Sequence, residues 1–191
     1  MKKGTGIVLG IIGSFVLLVV IVVGWGVSTY NGIVRAETTV EEKASTVKVD
    51  LQRRADLIPN LVNTVRGYAA HEEAIFTAIT EARAKLGGAQ TIGEQEAANN
   101  EITNALGRLC AIAEDNPELK ANQNFINLQT QLEGTENRIG VSRKDYNAAV
   151  KEYNLRLRRF PSSVVAGMFG FEKAAMFEGS EGIESTPEVS F

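Results

Sequence analysis

The chain has 191 residues, 44% of them hydrophobic, and its 20 Lys+Arg against 23 Asp+Glu leave a formal net charge of −3. That balance excludes the clustered basic face of a nucleic-acid binder. A single cysteine, Cys110, excludes an intrachain disulfide, and in the setting Leu109-Cys110-Ala111-Ile112 it reads as a small buried hydrophobe.

The first element is an unbroken apolar run, Ile7 to Val27. Sixteen of its 21 residues are Ile, Val, Leu, Phe or Trp, and the others are Gly10, Gly13, Ser14, Gly24 and Gly26. At about 1.5 Å per residue a helix of this length crosses the roughly 30 Å hydrocarbon core of a bilayer. No residue between Lys3 and Arg35 is charged, so nothing opposes insertion, and the intramembrane ionisable groups of a transporter or proton relay are missing. The run exceeds the roughly 7–15 apolar residues of a signal peptide and no A-x-A-like cleavage site follows it. An uncleaved single-pass anchor is expected, with Trp25 and Tyr30 as an interfacial aromatic belt. Gly6-x-x-x-Gly10, prolonged by Gly13, offers a small-residue face for close helix–helix approach in the bilayer. Lys2 and Lys3 on one side nearly balance Arg35 and Lys43 on the other, so the positive-inside rule only faintly favours translocation of the C-terminal part.

Residues 1–6 thus form a short polar N-terminus and 7–27 the span. Residues 28–160 are expected to form a helical bundle and 161–191 a tail. Apart from Lys2 and Lys3, the chain holds 18 Lys+Arg against 23 Asp+Glu, with Glu172, Glu178, Glu181, Glu184 and Glu188 concentrated near the end.

Period-3.6 stripes fill the bundle region. They are Tyr30, Ile33, Val40, Ala44, Val47, Leu51 and Ile58, interrupted by Glu37; Leu61, Val65, Tyr68, Ile75, Ile79, Ala82 and Leu86; Ile102, Ala105, Leu109, Ile112 and Ala113; and Phe125, Leu128, Leu132, Ile139, Tyr146, Val150, Tyr153 and Leu157. The last is heptad-like and suits bundle core or a second chain. Gly87-Gly88 ends one helix, and Thr91 with Glu94 is a capping box opening the next. Asn116-Pro117-Glu118 supplies an N-cap, a proline at the first helical position and an acid in the first turn. Pro59 either kinks a continuous helix or sits at a turn with Asp56 and Asn60, and short connections favour the turn. The expected fold is all-α: a transmembrane helix followed by an antiparallel four-helix bundle with long helices.

In that arrangement the fourth helix returns to the bilayer. Arg156, Arg158 and Arg159 then lie at the headgroups, followed by the apolar, aromatic stretch with Phe160, Phe169 and Phe171. Alternatively the arginines only complement the helix terminus and the aromatics fold back on the bundle. A helix continuous through Pro59 would instead carry the tail away from the membrane. The tail is expected to dock on the bundle, a neighbouring protomer or the membrane.

Site chemistry is sparse. The only histidine, His71, in His71-Glu72-Glu73, lacks the second histidine one turn on that a helical zinc site needs. A Ser/His/Asp set has no basis there either, and Gly87-Gly88 is not followed by a P-loop Lys-Ser/Thr. Glu136 and Arg138 are candidates for a structural polar network with Arg53 or Arg54 across the bundle; a solvated face is the other reading.

Several motifs occur together: Arg53-Arg54-Ala55-Asp56-Leu57-Ile58-Pro59-Asn60-Leu61-Val62, Gly67-Tyr68-Ala69, Glu81-Ala82-Arg83, Leu119-Lys120-Ala121-Asn122 with Phe125, Thr135-Glu136-Asn137-Arg138-Ile139, Tyr146-Asn147, Tyr153-Asn154, Phe160-Pro161, Phe169-Gly170-Phe171 and the terminal Val189-Ser190-Phe191. In order and spacing the chain resembles the LemA family of bacterial membrane proteins over essentially its whole length. The resemblance implies one transmembrane helix, an antiparallel helical bundle and no established enzymatic activity. It points to the bacterial inner membrane; family descriptions tend to place the bundle in the cytoplasm, against the faint charge bias.

The expected function is that of a self-assembling, membrane-anchored scaffold, a homo-oligomer in the lipid bilayer with no catalysis, cofactor, metal or small-molecule substrate. The alternative is an adaptor presenting its bundle or tail to a membrane protein partner, a protease or signalling system, with Val189-Ser190-Phe191 suited to a PDZ-like groove.

Overall fold

A computed structural model describes residues 2–68 and 72–178, with side chains from residue 10 onward. Six helices make up the described chain: α1 Lys2–Arg66, α2 Glu73–Gly88, α3 Ile92–Asp115, the single turn α4 Pro117–Lys120, α5 Gln123–Arg158 and α6 Ser162–Phe169. Among the described residues there is no strand. The chain divides into two compact units, residues 1–42 with 148–174, and 43–147 with 175–191.

The second unit is a four-helix bundle. Its core gathers Ile58, Leu61, Val62 and Val65 from α1, Phe76, Ile79 and Ala82 from α2, Ile102, Ala105, Leu106, Leu109 and Ala113 from α3, and Phe125 and Leu132 from α5, closed at one end by Leu119 of α4. As the partner moves from Lys43 to Arg54 on α1 and then to Tyr68 just past its end, the partner on α5 falls from Asp145 to Glu136 and then to Asn122 at its N-terminal boundary, so the two run antiparallel. Buried residues recur every seven positions on both: Val47, Arg54 and Leu61 on α1, and Phe125, Leu132, Ile139 and Tyr146 on α5. That period suits left-handed bundle packing. Thr135 and Ser142 are buried on α5 because each hydroxyl donates to its own helix, at Leu132 O (2.7 Å) and Ile139 O (3.2 Å).

Helix boundaries follow local chemistry. Thr91 and Glu94 form the capping box, and the backbone N–H groups of Thr91 and Gln90 hold the Glu94 carboxyl below the usual range. Asn116 Oδ1 accepts from the N–H of Glu118 and Leu119 ahead of Pro117. Asn122 Oδ1 accepts from Asn124 and Phe125 to start α5.

Pro59 is not at a turn. α1 continues through it and ends at Arg66, so the first connection falls after Gly67 rather than at Pro59. A proline cannot donate to the carbonyl four residues back. Here that carbonyl, Ala55 O, accepts instead from Arg83 Nε of α2 at 3.0 Å. The buried Leu61, Val62 and Val65 beyond Pro59 hold the last turns of α1 in the core.

In the first unit α1 and α5 are again antiparallel, with Gly32 facing Arg156 and Glu37 facing Tyr153. Ile33 and Val40, Val150, Tyr153 and Leu157, and Val165 and Ala166 of α6 are its buried side chains. α6 is a helix the sequence reading places inside the tail. It ends at Gly170, whose φ of 73° is the left-handed conformation that glycine adopts without penalty, and Phe171 N–H closes the cap on Ala166 O.

Candidate membrane and assembly surface

From residue 10 to Trp25 every side chain of α1 is exposed, apolar throughout except Ser14. Exposed large hydrophobics continue to Val27, and the helix is long and apolar enough to cross a membrane. Ser14 donates to Gly10 O at 3.0 Å, which hides its hydroxyl within the helix. A Cβ at Gly10 or Gly13 would meet nothing within 4 Å. Gly6 lies in α1, but its surroundings lie outside the described residues.

Just past this stretch α1 carries Tyr30, and the Phe169 and Phe171 rings stand 4.7 and 5.6 Å from it. The continuous α1 therefore does not separate the tail from the apolar run, contrary to the sequence expectation, because α5 brings it back alongside Tyr30 of the same helix. Arg156 is tied down, donating to Gly32 O (3.1 Å) and to Glu152 Oε1 (2.7 Å). Arg158 and Arg159 are exposed and make no ion pair among the described residues. Ser162 Oγ donates to the carbonyls of Arg156 and Arg159 (2.6 and 2.8 Å), locking the α5–α6 corner. Phe160 is 84% exposed and Phe169 62%, whereas Phe171 is half-buried.

Beyond α6 the chain is extended and lies on α5, held by two copies of a Tyr-Asn pair. In the first unit Tyr153 Oη donates to Glu172 O (3.0 Å), and Asn154 both donates to Ala174 O (2.9 Å) and accepts from Ala174 N (3.0 Å). In the second unit Tyr146 Oη donates to Ala175 O (2.9 Å), and Asn147 bonds the O and N of Phe177, both at 2.9 Å. Phe177 is buried, its ring 5.2 Å from that of Tyr146. Arg143 lies over that ring at 5.0 Å, with Glu96 Oε1 3.9 Å away, and Glu96 Oε2 accepts from Glu178 N. Burial pushes the Tyr153 phenol up to about 12, assisted by the Glu37 carboxylate, and burial also raises Tyr146.

In the bundle Arg54 pairs with Glu136 and donates from Nη1 to Asn99 Oδ1 at 2.7 Å. The Arg54 side chain is 5% exposed and that of Glu136 45%. Desolvation lowers the guanidinium pKa against the pull of Glu136, and the Arg143 charge adds to the lowering. Arg53 is exposed outside this network. Arg138 lines a separate shallow cleft with Lys43, Asp50 and Asp145. Cys110 is half-buried, and burial, then Glu133 and Glu114, raise its thiol. Among the described residues no group of three His, Cys, Asp or Glu gathers as a metal ion would require. His71 and Val189-Ser190-Phe191 lie outside the described residues.

Asn99, Glu96 and Arg143 escaped the sequence reading, and Arg83 and the Tyr-Asn pairs appeared there only as motifs. The signal of the pairs was the seven-residue repeat of Tyr-Asn on the longest stripe, which places both copies on one helix face.

An apolar, exposed helix continuous with an antiparallel bundle defines a membrane-anchored helical-bundle protein. The chain belongs to the LemA family, whose pattern residues 43–191 match. It is 30% identical to magnetosome protein MamQ 2 of Paramagnetospirillum magneticum, over 93% of this chain and 75% of that one. To magnetosome protein MamQ of Magnetospirillum gryphiswaldense it is 29% identical, over 78% and 64%. To protein LemA of Metamycoplasma hominis it is 22% identical, over 87% and 78%.

Proposed function

We propose that this protein is a non-catalytic scaffold of the bacterial inner membrane that self-assembles through its helices. The observation that carries this reading is the exposed apolar part of α1, which passes without a break into the core helix of the bundle. The open backbone at Gly10 and Gly13 favours close approach of a second α1. Mass photometry and negative-stain imaging of the full-length protein in mild detergent test it. A discrete assembly is the expected result, and a strict monomer would refute self-assembly.

The Tyr-Asn pairs favour a second reading, an adaptor for a membrane protein, because holding an extended segment by its backbone is a mode of peptide capture. Under that reading a partner is retained by the full chain and lost, or gained, when residues 160–191 are removed.

A further inference from the structure

α6 leaves a large apolar surface uncovered. Phe160 (84% exposed), Val164 (53%), Met168 (76%) and Phe169 are all accessible, while Val165 and Ala166 occupy the buried side. Phe160, Val164 and Met168 are spaced four apart; Val164 and Met168 share one side of α6, with Phe160 just before its start. From Phe160 to Phe171 there is no charged residue, whereas the two residues just before, Arg158 and Arg159, are exposed cations.

The position of this surface identifies what covers it. Tyr30, which touches Phe169 and Phe171, is three residues past Val27, hence about 4.5 Å along the axis from the end of the apolar run. A helix fastened there stands at headgroup depth when α1 spans a bilayer. Apolar and aromatic side chains beside exposed arginines suit the boundary between acyl chains and anionic headgroups. A soluble protein would not leave such a patch in water without use.

We infer that α6 is an interfacial helix, with Phe160, Val164, Met168 and Phe169 set into the headgroup layer of the membrane that α1 crosses, and Arg158 and Arg159 on anionic lipid phosphates. The inference rests on the reading of α1 as the anchor. It gives the protein two membrane contacts, one spanning and one lying flat, and so fixes how the first unit is oriented on the surface.

The test uses the full-length protein with Cys110→Ala and one nitroxide-labelled cysteine at a time, in vesicles of phosphatidylcholine alone or with an equal part of phosphatidylglycerol. Accessibility to oxygen against a water-soluble nickel chelate reports depth. Met168→Cys tests α6, Val19→Cys tests the span, and Thr39→Cys, twelve residues past Val27, is the aqueous control. The expected order is Val19 most protected from nickel, Met168 intermediate, several-fold more protected than Thr39, and Thr39 open. Arg158→Gln with Arg159→Gln should reduce the Met168 protection only in the phosphatidylglycerol vesicles. A Met168 label as open as Thr39 beside a protected Val19 overturns the inference and leaves the anchor standing. An open Val19 overturns the anchor itself. Equal protection of Met168 in both lipids, unmoved by the arginine changes, overturns the anionic assignment.

Discussion

Arg83 occupies the hydrogen-bonding vacancy that Pro59 creates, and this can be tested as a double-mutant cycle. Arg83→Met keeps most of the stem but leaves the Ala55 carbonyl, on a residue 6% exposed, without the 3.0 Å donor. A buried acceptor stripped of its partner costs about 1–3 kcal/mol. Pro59→Ala restores an N–H that can donate to the same carbonyl within α1. In that background Arg83→Met should cost less than about 0.5 kcal/mol, the usual scale of a surface change. The coupling is then about 1–2 kcal/mol. At roughly 2–4 °C per kcal/mol for a chain of this size, Arg83→Met alone lowers Tm by roughly 2–12 °C. Four melts of the full-length protein in detergent, followed at 222 nm, measure it, with urea midpoints as a second probe. Equal costs of Arg83→Met in the two backgrounds would refute the reasoning.

Other consequences can be checked alongside. Glu136→Ala should cost roughly 3–5 kcal/mol, because it strands the Arg54 cation in the core. Arg54→Met should cost less, roughly 1–3 kcal/mol, because half-exposed Glu136 can turn to water and only Asn99 loses a donor; denaturant titrations giving the reverse order would contradict the assigned burial. Asn147→Leu and Asn154→Leu each remove two bonds to the extended segment, about 2 kcal/mol, so amide exchange around residues 172–178 should accelerate roughly 10–100-fold; unchanged exchange would mean the segment is held by other contacts. Tyr153 should ionise at about pH 12. The fold holds its proton more tightly than the unfolded chain does, so this contribution is complete below about pH 10 and is lost between about 10 and 12; absorbance at 295 nm should lose a step at about pH 12 in Tyr153→Phe. Cys110 should react slowly with maleimide at neutral pH and faster as pH rises above the ordinary thiol range, and rapid neutral labelling would contradict its burial.

The apolar run, the four bundle helices, the capping box and the Asn116-Pro117 start were legible because each depends on residues close together in sequence. Pro59 misled for the opposite reason. The group that makes it tolerable, Arg83, is 24 residues away on another helix, and local rules see only the missing N–H. α6 was hidden because its residues are apolar on nearly all sides and its partner surface, around Tyr30, is supplied from the other end of the chain. Within the polar network the pairing of Arg54 rather than Arg53 depends on helix rotation: Arg54 falls on the seven-residue series with Val47 and Leu61, and its neighbour faces out. The anchoring groups Asn99 and Glu96 carry no local signature that separates them from solvated side chains.

The two Tyr-Asn pairs grip amides and carbonyls, not side chains. Only Phe177, seated against Tyr146 and Arg143, is tied to its own identity. Ala175 and Met176 face outward, and at position 174 the grip requires only a free N–H, which proline lacks. This makes residues 174–176 an editable slot. A short epitope or reporter residue written there should be displayed along α5 without redesign of the protein that carries it.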